Sequence, residues 1–455
     1  MTELAASDWL GFRTIFYNEK TLKYSTKINE VIDYNDIQIH KEGLAAYMDF
    51  GYSVFGYTPV MHIKYLLPYQ KLYLDNGQFK VTNEEDLTLS KIGHESNEND
   101  VLDKFQSHIR TWENTISGDI IIPTSGGFDS RLLNFFVHDK GRIKAFTYGI
   151  SKKQEDSREA VYAKELCKRL HIDWDRIELG KFNQYEEEWY NQFGPAVAAT
   201  GTYHIEFYNK IKNRVGADNH HLLSGIIGDA WAGSVNTAPV TDVQEYINLG
   251  YTHGMTADAR RAIHADYKSI AEPIYERQKN ALQDNLFRVV TAMRTKIMLL
   301  QYLITVPEQI GFKGYSPFLD EDIAMSMLNL PAERRFQRAW QRDFFRKNNI
   351  LFEEEKHQFT YQNSLNYSAI INEKLAPLNV KLLSDYIDKK YLNWINSKLS
   401  HIGIRERMFQ TLMHTPKVKG AMKMMGFKND LLSAYFAYVT IRPIELLLNN
   451  QKGKG

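Results

Sequence analysis

The sequence holds one cysteine, Cys167, in 455 residues. No intramolecular disulfide can form, which fits a reducing cytosol. An excess of either charge is also missing: 56 basic residues face 55 acidic ones, a formal net charge of +1. That balance gives no support for a nucleic acid or an anionic membrane as the main partner, and leaves only a local basic patch open. Residues 1–20 lack the basic-then-apolar order of a secretory signal. No run of about 18 apolar residues occurs. The most apolar C-terminal stretch, Leu431 to Leu448, is broken by Arg442 and Pro443. These absences together predict a cytoplasmic protein without a spanning helix. No internal repeat and no long low-complexity segment is found.

What is present is ordinary for a globular chain: 43% hydrophobic and 24% charged residues. The length suggests two or three domains. The 27 tyrosines and 24 phenylalanines point to an aromatic-rich core. Cys167 lies in a helical pattern, Tyr162 to Cys167, and reads as a packed thiol.

Residues 1–82 read as a small β-rich domain. Thr14 to Tyr17 and Leu22 to Thr26 flank a turn at Asn18-Glu19-Lys20, and Gln70 to Leu74 and Gln78 to Val81 flank Asp75-Asn76-Gly77. Lys41 to Phe50 between them reads as a helix. Residues 83–99 are polar and acidic and read as a linker. From residue 100 to 455 helices and strands alternate, then helices dominate. A helix at Val101 to Trp112 precedes a strand at Asp119 to Thr124, a helix at Asp129 to His138 and a strand at Ile143 to Tyr148. A helix at Glu155 to Leu170, a strand at Asp175 to Leu179 and a strand ending at Leu222-Leu223 follow. The order predicts an α/β doubly wound parallel sheet with a helical C-terminal part.

The most informative stretch is Ser125-Gly126-Gly127-Phe128-Asp129-Ser130, between the apolar strand and a helix. A tight Ser/Gly turn at a helix N-terminus is an anion site, because free N–H groups and the helix dipole both favour negative charge. The spacing is not that of a Walker loop, which needs a Lys-Ser/Thr pair. It resembles the PP-loop of the ATP pyrophosphatases, which cleave ATP between the α and β phosphates.

Three further stretches resemble the asparagine synthetase-like branch of that superfamily. They are Ser224-Gly225-Ile226-Ile227-Gly228-Asp229, Tyr315-Ser316-Pro317-Phe318-Leu319-Asp320, and Lys356-His357-Gln358-Phe359. Asp8 to Tyr17, Gly43 to Tyr47 and Ile63 to Pro68 are similar to segments late in that family's glutaminase domain. Two departures stand out. The family's catalytic cysteine after the initiator is replaced by Thr2, so residues 1–82 are expected to be a shortened, inactive remnant. The glutamate that in the family assists ammonia is Ile226, which cannot move a proton; the related β-lactam synthetases have a tyrosine there.

The resemblance implies a ligase that adenylates a carboxylate with ATP and Mg²⁺ and passes the acyl group to ammonia or an amine. It implies pyrophosphate contacts from Ser125, Gly126, Gly127, Asp129, Ser130 and Gly225, magnesium on Asp129 and Asp229, and an adenine contact at Tyr148-Gly149. It further implies a catalytic cation at Lys356. Plainer roles stay open: a helix cap for Asp229, a surface lysine for Lys356, a strand-ending turn for Gly149. His204, His220 and His221 have no zinc spacing and read as packing or substrate-pocket residues. The acyl donor is a small-molecule or peptide carboxylate, and a separate glutaminase or biosynthetic partner would supply ammonia if ammonia is used. Alternatives are an amidotransferase acting on a sugar-linked carboxylate, and a non-catalytic nucleotide-binding scaffold on the same fold. The purified chain is expected to release no glutamate from glutamine. Release detected by a coupled glutamate assay would overturn the remnant reading.

Overall fold

The structure, a computed structural model, describes residues 1–451 apart from 217–218, 252–254, 361, 401, 414, 416–417, 419–423 and 425–427. The N-terminal residues form six strands: β1 (Thr2–Ala6), β2 (Phe16–Asn18), β3 (Tyr24–Ser25), β4 (Ile63–Tyr65), β5 (Gln70–Asp75) and β6 (Gln78–Asn83). They pair as two three-stranded antiparallel sheets, ordered β1-β5-β6 and β3-β2-β4. Asn76 and Gly77 both have positive φ, 50° and 76°, as a two-residue hairpin turn demands. The helix Lys41–Phe50 starts on His40, whose Nδ1 accepts from the Gly43 N–H at 2.8 Å, and stops at Gly51 with φ 78°.

The third sheet has five strands: β7 (Ile120–Pro123), β8 (Ile143–Thr147), β9 (Asp173–Arg176), β10 (His221–Leu223) and β11 (Lys313–Tyr315). Their order is β11-β10-β7-β8-β9 and every pairing is parallel. The fold is therefore mixed α/β with a parallel five-stranded sheet and many helices. Ile120, Ile121 and Ile122 of β7 are all fully buried. Alternate residues of a strand point to opposite faces, and Ile121 joins one apolar core while Ile120 and Ile122 join another. From β7 the chain winds one way to β8 and β9, and from β10 the other way to β11. The gap between β7 and β10 is thus a topological switch point, where sheets of this kind open a crevice at the strands' carboxyl ends.

Three sequence expectations shift. The strand expected at Asp175–Leu179 lies at Asp173–Arg176, because the polar edge residues pair with β8 while Ile177 and Leu179 plug the core beyond it. Strands β1 and β11 carry no alternating signal and were not expected. Residues 83–99 are not a free linker. Arg294, on the helix Asn285–Leu300, pairs with Asp86 and donates to the Trp9 carbonyl at 2.8 Å and the Thr88 hydroxyl at 2.9 Å. Lys91 and Thr88 reach the Glu321 carboxylate at 2.6 and 2.8 Å. Asp86, Thr88 and Lys91 tie the segment to the body, while Glu84, Glu85 and Glu95 stay exposed.

Two stretches, Asn285–Ile310 and Asp430–Asn449, are long and apolar enough to cross a membrane, and most of each apolar window is buried in the fold. Both are packed core helices here. Arg442 of the second helix is answered by Glu186 at 3.0 Å, and also pairs with Glu445. Cys167 is buried in the helix Arg158–Leu170, and burial pushes its thiol up to about 12.

Replacing Arg294 by Met should cost on the order of 3 kcal/mol, since it strands Asp86, the Trp9 carbonyl and the Thr88 hydroxyl in a half-buried seam. Urea unfolding would measure the loss. A change under about 0.5 kcal/mol would show that the seam does not bind residues 83–99 to the body.

Candidate active site

A cleft of about 800 Å³ opens at the carboxyl ends of β7, β8 and β10, at the switch point. Ser125, Gly126, Gly127, Asp129 and Ser130 line it from the loop after β7, and Ser224, Gly225, Ile226, Ile227 and Asp229 from the loop after β10. The two motifs read in the sequence thus meet in one crevice.

The first loop is set by what lies beneath it. Gly126 has φ 67°, and a Cβ there would stand 2.3 Å from the Tyr162 Cβ, so no other residue fits. The helix Phe128–Phe136 starts at Gly127 with no side-chain cap, which leaves its first N–H groups for a ligand. The Ser125 hydroxyl accepts from the Gly127 N–H at 3.3 Å and Ser130 donates to the Gly127 carbonyl at 3.2 Å. Arg131, fully buried, is a residue that sequence reasoning passed over. Its guanidinium donates to the Gly126 carbonyl at 2.6 Å and the Ile350 carbonyl at 2.8 Å, and grips Glu353 at 2.9 and 3.1 Å. By tying the loop's carbonyl inward, Arg131 holds the turn that leaves the helix N-terminus open.

The second loop presses on the first. A Cβ on Gly228 would stand 2.9 Å from the Asp129 Cγ and 2.7 Å from the Phe318 ring, so glycine allows the loop to touch the carboxylate. Ile227 holds a left-handed φ of 55°, a strained place for a β-branched residue. The result brings Asp129 and Asp229 together. Asp129 Oδ1 is sealed from water and has no hydrogen-bond partner. Burial first, and the facing Asp229 second, push the Asp129 carboxyl up to about 8, against the pull of Arg338. Ser234 donates to the Asp229 carboxylate at 3.0 Å. An orphaned buried oxygen beside a second carboxylate fits a divalent cation. Among the described residues no group of three potential ligands gathers, so phosphate and water would complete the shell of a magnesium ion.

Cations that sequence reasoning missed surround this pair. Arg158, Lys296, Arg338 and Arg342 line the cleft. Arg338 lies 4.3 Å over the Phe128 ring, at the end of a turn in which Gln337 and Arg338 have φ of 49° and 55°. That turn rests on the second loop: a Cβ on Gly233 would be 2.3 Å from the Arg335 carbonyl, and Trp340 donates to the Ala232 carbonyl at 3.3 Å. No periodicity or motif spacing marks these arginines; only the cleft brings them together.

Two expected site residues lie outside the lining. Gly149 abuts the Gln154 carbonyl, where a Cβ would come within 2.0 Å, so chain packing alone demands its glycine; its neighbour Tyr148 does line the cleft. Lys356 is exposed and does not line the cleft. Its motif neighbours instead bracket Tyr162, with ring centroids at 5.5 Å for both His357 and Phe359. Of the histidines, His204 lines the cleft and is kept neutral by burial, its pKa lowered to about 3; His220 and His221 do not line it.

No family model and no curated relative matches the chain. Among solved structures 38 chains match. One is an NH3-dependent NAD synthetase from Campylobacter jejuni, 10% identical, aligned over 45% of this chain and 96% of that chain with a TM-score of 0.25. At that score the likeness is slight and supports no functional statement.

The Asp129 carboxyl gives a pH test. Its proton leaves near pH 8 in the folded chain and near 3.8 unfolded. The folded state therefore holds the extra proton between those values, and stability falls as pH rises through that window. Asp129→Asn removes the cost, so its gain in Tm should grow from pH 5 to pH 8. A gain that is flat with pH in thermal melts would contradict the described burial.

Proposed function

We propose that the chain is an ATP-dependent, AMP-forming amide ligase of the asparagine synthetase-like branch of the PP-loop superfamily. The observation that carries this reading is the meeting of two glycine-bearing loops at the switch point, with Asp129 against Asp229 beside an uncapped helix N-terminus. A polyanion at that N-terminus would find backbone N–H groups below it and Arg338 and Arg342 around it.

A carboxylate is a poor acyl donor because oxide would have to leave. Attack of its oxygen on the α-phosphorus forms the acyl-adenylate and expels pyrophosphate, and an amine then displaces AMP. The chain's part is to hold both reactants in line and to stabilise the departing negative charge. The Ser125–Ser130 loop positions the phosphates, and Arg338 stands where charge collects on pyrophosphate. Asp129 and Asp229 would hold magnesium, which when bound screens the phosphate charge. Ile226, 2% exposed, offers no base for the amine. This favours an amine that belongs to a substrate over free ammonia. Residues 1–82 act as a structural remnant. Their Trp9 indole donates to the Leu319 carbonyl at 3.0 Å and lies 5.8 Å from the Trp231 ring, bracing the loop that bears Asp229.

The position of Lys356 argues against a central role for it, and that of Arg338 argues for one. With ATP, a substrate acid and an amine, the wild-type chain should release AMP and pyrophosphate in equal amounts. Arg338→Ala should lower kcat/KM for ATP by about 100-fold, and Lys356→Ala by less than about threefold. The reverse ranking would return the catalytic cation to Lys356. Absence of ATP binding by calorimetry, with no AMP formed from any acid, would sink the ligase reading.

A further inference from the structure

The cleft has two unlike sides. Its phosphate side is polar and arginine-rich. Its other side is built from the helix Asn285–Leu300 and its continuation Tyr302–Ile310. Met293, Lys296, Leu300 and Leu303 line the cleft at spacings of three, four and three, which places them on one helical face. Tyr302 and the neutral His204 extend the wall, with ring centroids 4.9 Å apart.

This wall carries a single charge, the Lys296 ammonium. Arg342 has Glu354 at 3.5 Å, and Arg338 and Arg158 lie over the Phe128 and Tyr162 rings. No hydrogen bond or ion pair engages Lys296 among the described residues. Burial lowers its pKa while Asp229 acts to raise it, so the ammonium is half-buried within the field of the paired loops. A cation there, at the foot of an apolar wall, suits an anionic head with an uncharged body. The helical wall itself brings no carboxylate; of the cleft's acids, Glu353 is gripped by Arg131, Glu159 lies on the helix Arg158–Leu170, and the pair Asp129 and Asp229 is set for a metal.

We propose that this wall is the acyl subsite and that it takes a monocarboxylate with an apolar or aromatic body, its carboxylate on Lys296. This rests on the ligase reading and names its substrate class. It disfavours aspartate-like donors, whose second carboxylate and ammonium would be set against the apolar side chains of Met293, Leu300 and Leu303.

The test is calorimetry on the full chain with Mg²⁺ and the non-hydrolysable α,β-methylene ATP, titrating 3-phenylpropionate and L-aspartate. Phenylpropionate should bind at least about tenfold tighter. Lys296→Met should weaken phenylpropionate about tenfold more than it weakens the nucleotide, with Lys296→Arg restoring part of the loss. Leu303→Glu, on the same face, should also weaken it; circular dichroism melts confirm that each variant is folded. Equal or tighter binding of aspartate, no binding of either acid, or an unchanged phenylpropionate affinity in Lys296→Met would overturn the subsite. If the nucleotide fails to bind but phenylpropionate binds through Lys296, the subsite stands and the ligase reading falls. If the nucleotide binds without discrimination between acids, only the subsite falls.

Discussion

Two carboxylates held against one another govern this structure. Like charges that face one another where one is sealed from water favour a proton or a cation between them. The chain nevertheless builds toward that meeting from both sides. Gly126 lets the first loop lie on Tyr162, and Gly228 lets the second lie on Asp129. Ile227, Gln337 and Arg338 accept left-handed backbone around the same spot. Each of these costs stability, of order 1 kcal/mol or more for a strained residue. They persist because the flanking layers over-determine them: β7 and β10 are fully buried strands, and Arg131 fixes the loop from below by its bonds to Gly126, Ile350 and Glu353.

The bracing extends far beyond the sheet. Trp9 touches Trp231 and Leu319, and Arg294 ties the Trp9 carbonyl to Asp86 and Thr88. The Trp231 indole donates to the Phe318 carbonyl at 2.9 Å. The N-terminal residues therefore bear on the loop of Asp229 without approaching the cleft. One apolar core also runs through both parts of the chain, from Phe16 and Tyr47 to Tyr438 and Leu448. That shared core gives the N-terminal region a structural part in the fold.

Much of this was legible in the sequence, and the rest failed for identifiable reasons. The Asn-Gly hairpin, the helix Lys41–Phe50 and the triple isoleucine of β7 carry strong local signals, and they stand where the sequence places them. The glycine loops were readable because close approach leaves glycine no substitute. Arg131, Lys296 and Arg338 were not readable. Each lies on a helix or turn whose local pattern is satisfied by ordinary surface arginine or lysine, and only tertiary packing turns Lys296 and Arg338 into the cleft and Arg131 beneath its loop. Lys356 shows the converse. Its motif is visible in the sequence, yet in the fold His357 and Phe359 serve Tyr162 while the lysine stays in solvent. The polar run 83–99 looked like a linker because hydropathy cannot tell a solvated carboxylate from one paired to Arg294.

The isoleucine at 226 and the apolar wall belong to one adaptation. Ile226 is buried in the same core as Met293, Phe318 and Trp231. A glutamate at that position would lose most of its hydration and would add a third acid to a cleft that already holds Asp129 and Asp229. Both effects favour its protonated form, which is useless as a base. Met293, Leu300 and Leu303 line the same cleft, and an isoleucine at 226 adds to its apolar surface where a carboxylate would not. Proton removal from the amine must then be met elsewhere, by a group that keeps access to water. Under the proposed ligase reading, the wall and the isoleucine at 226 both suit an uncharged acyl body and a nucleophile that arrives as part of a larger substrate.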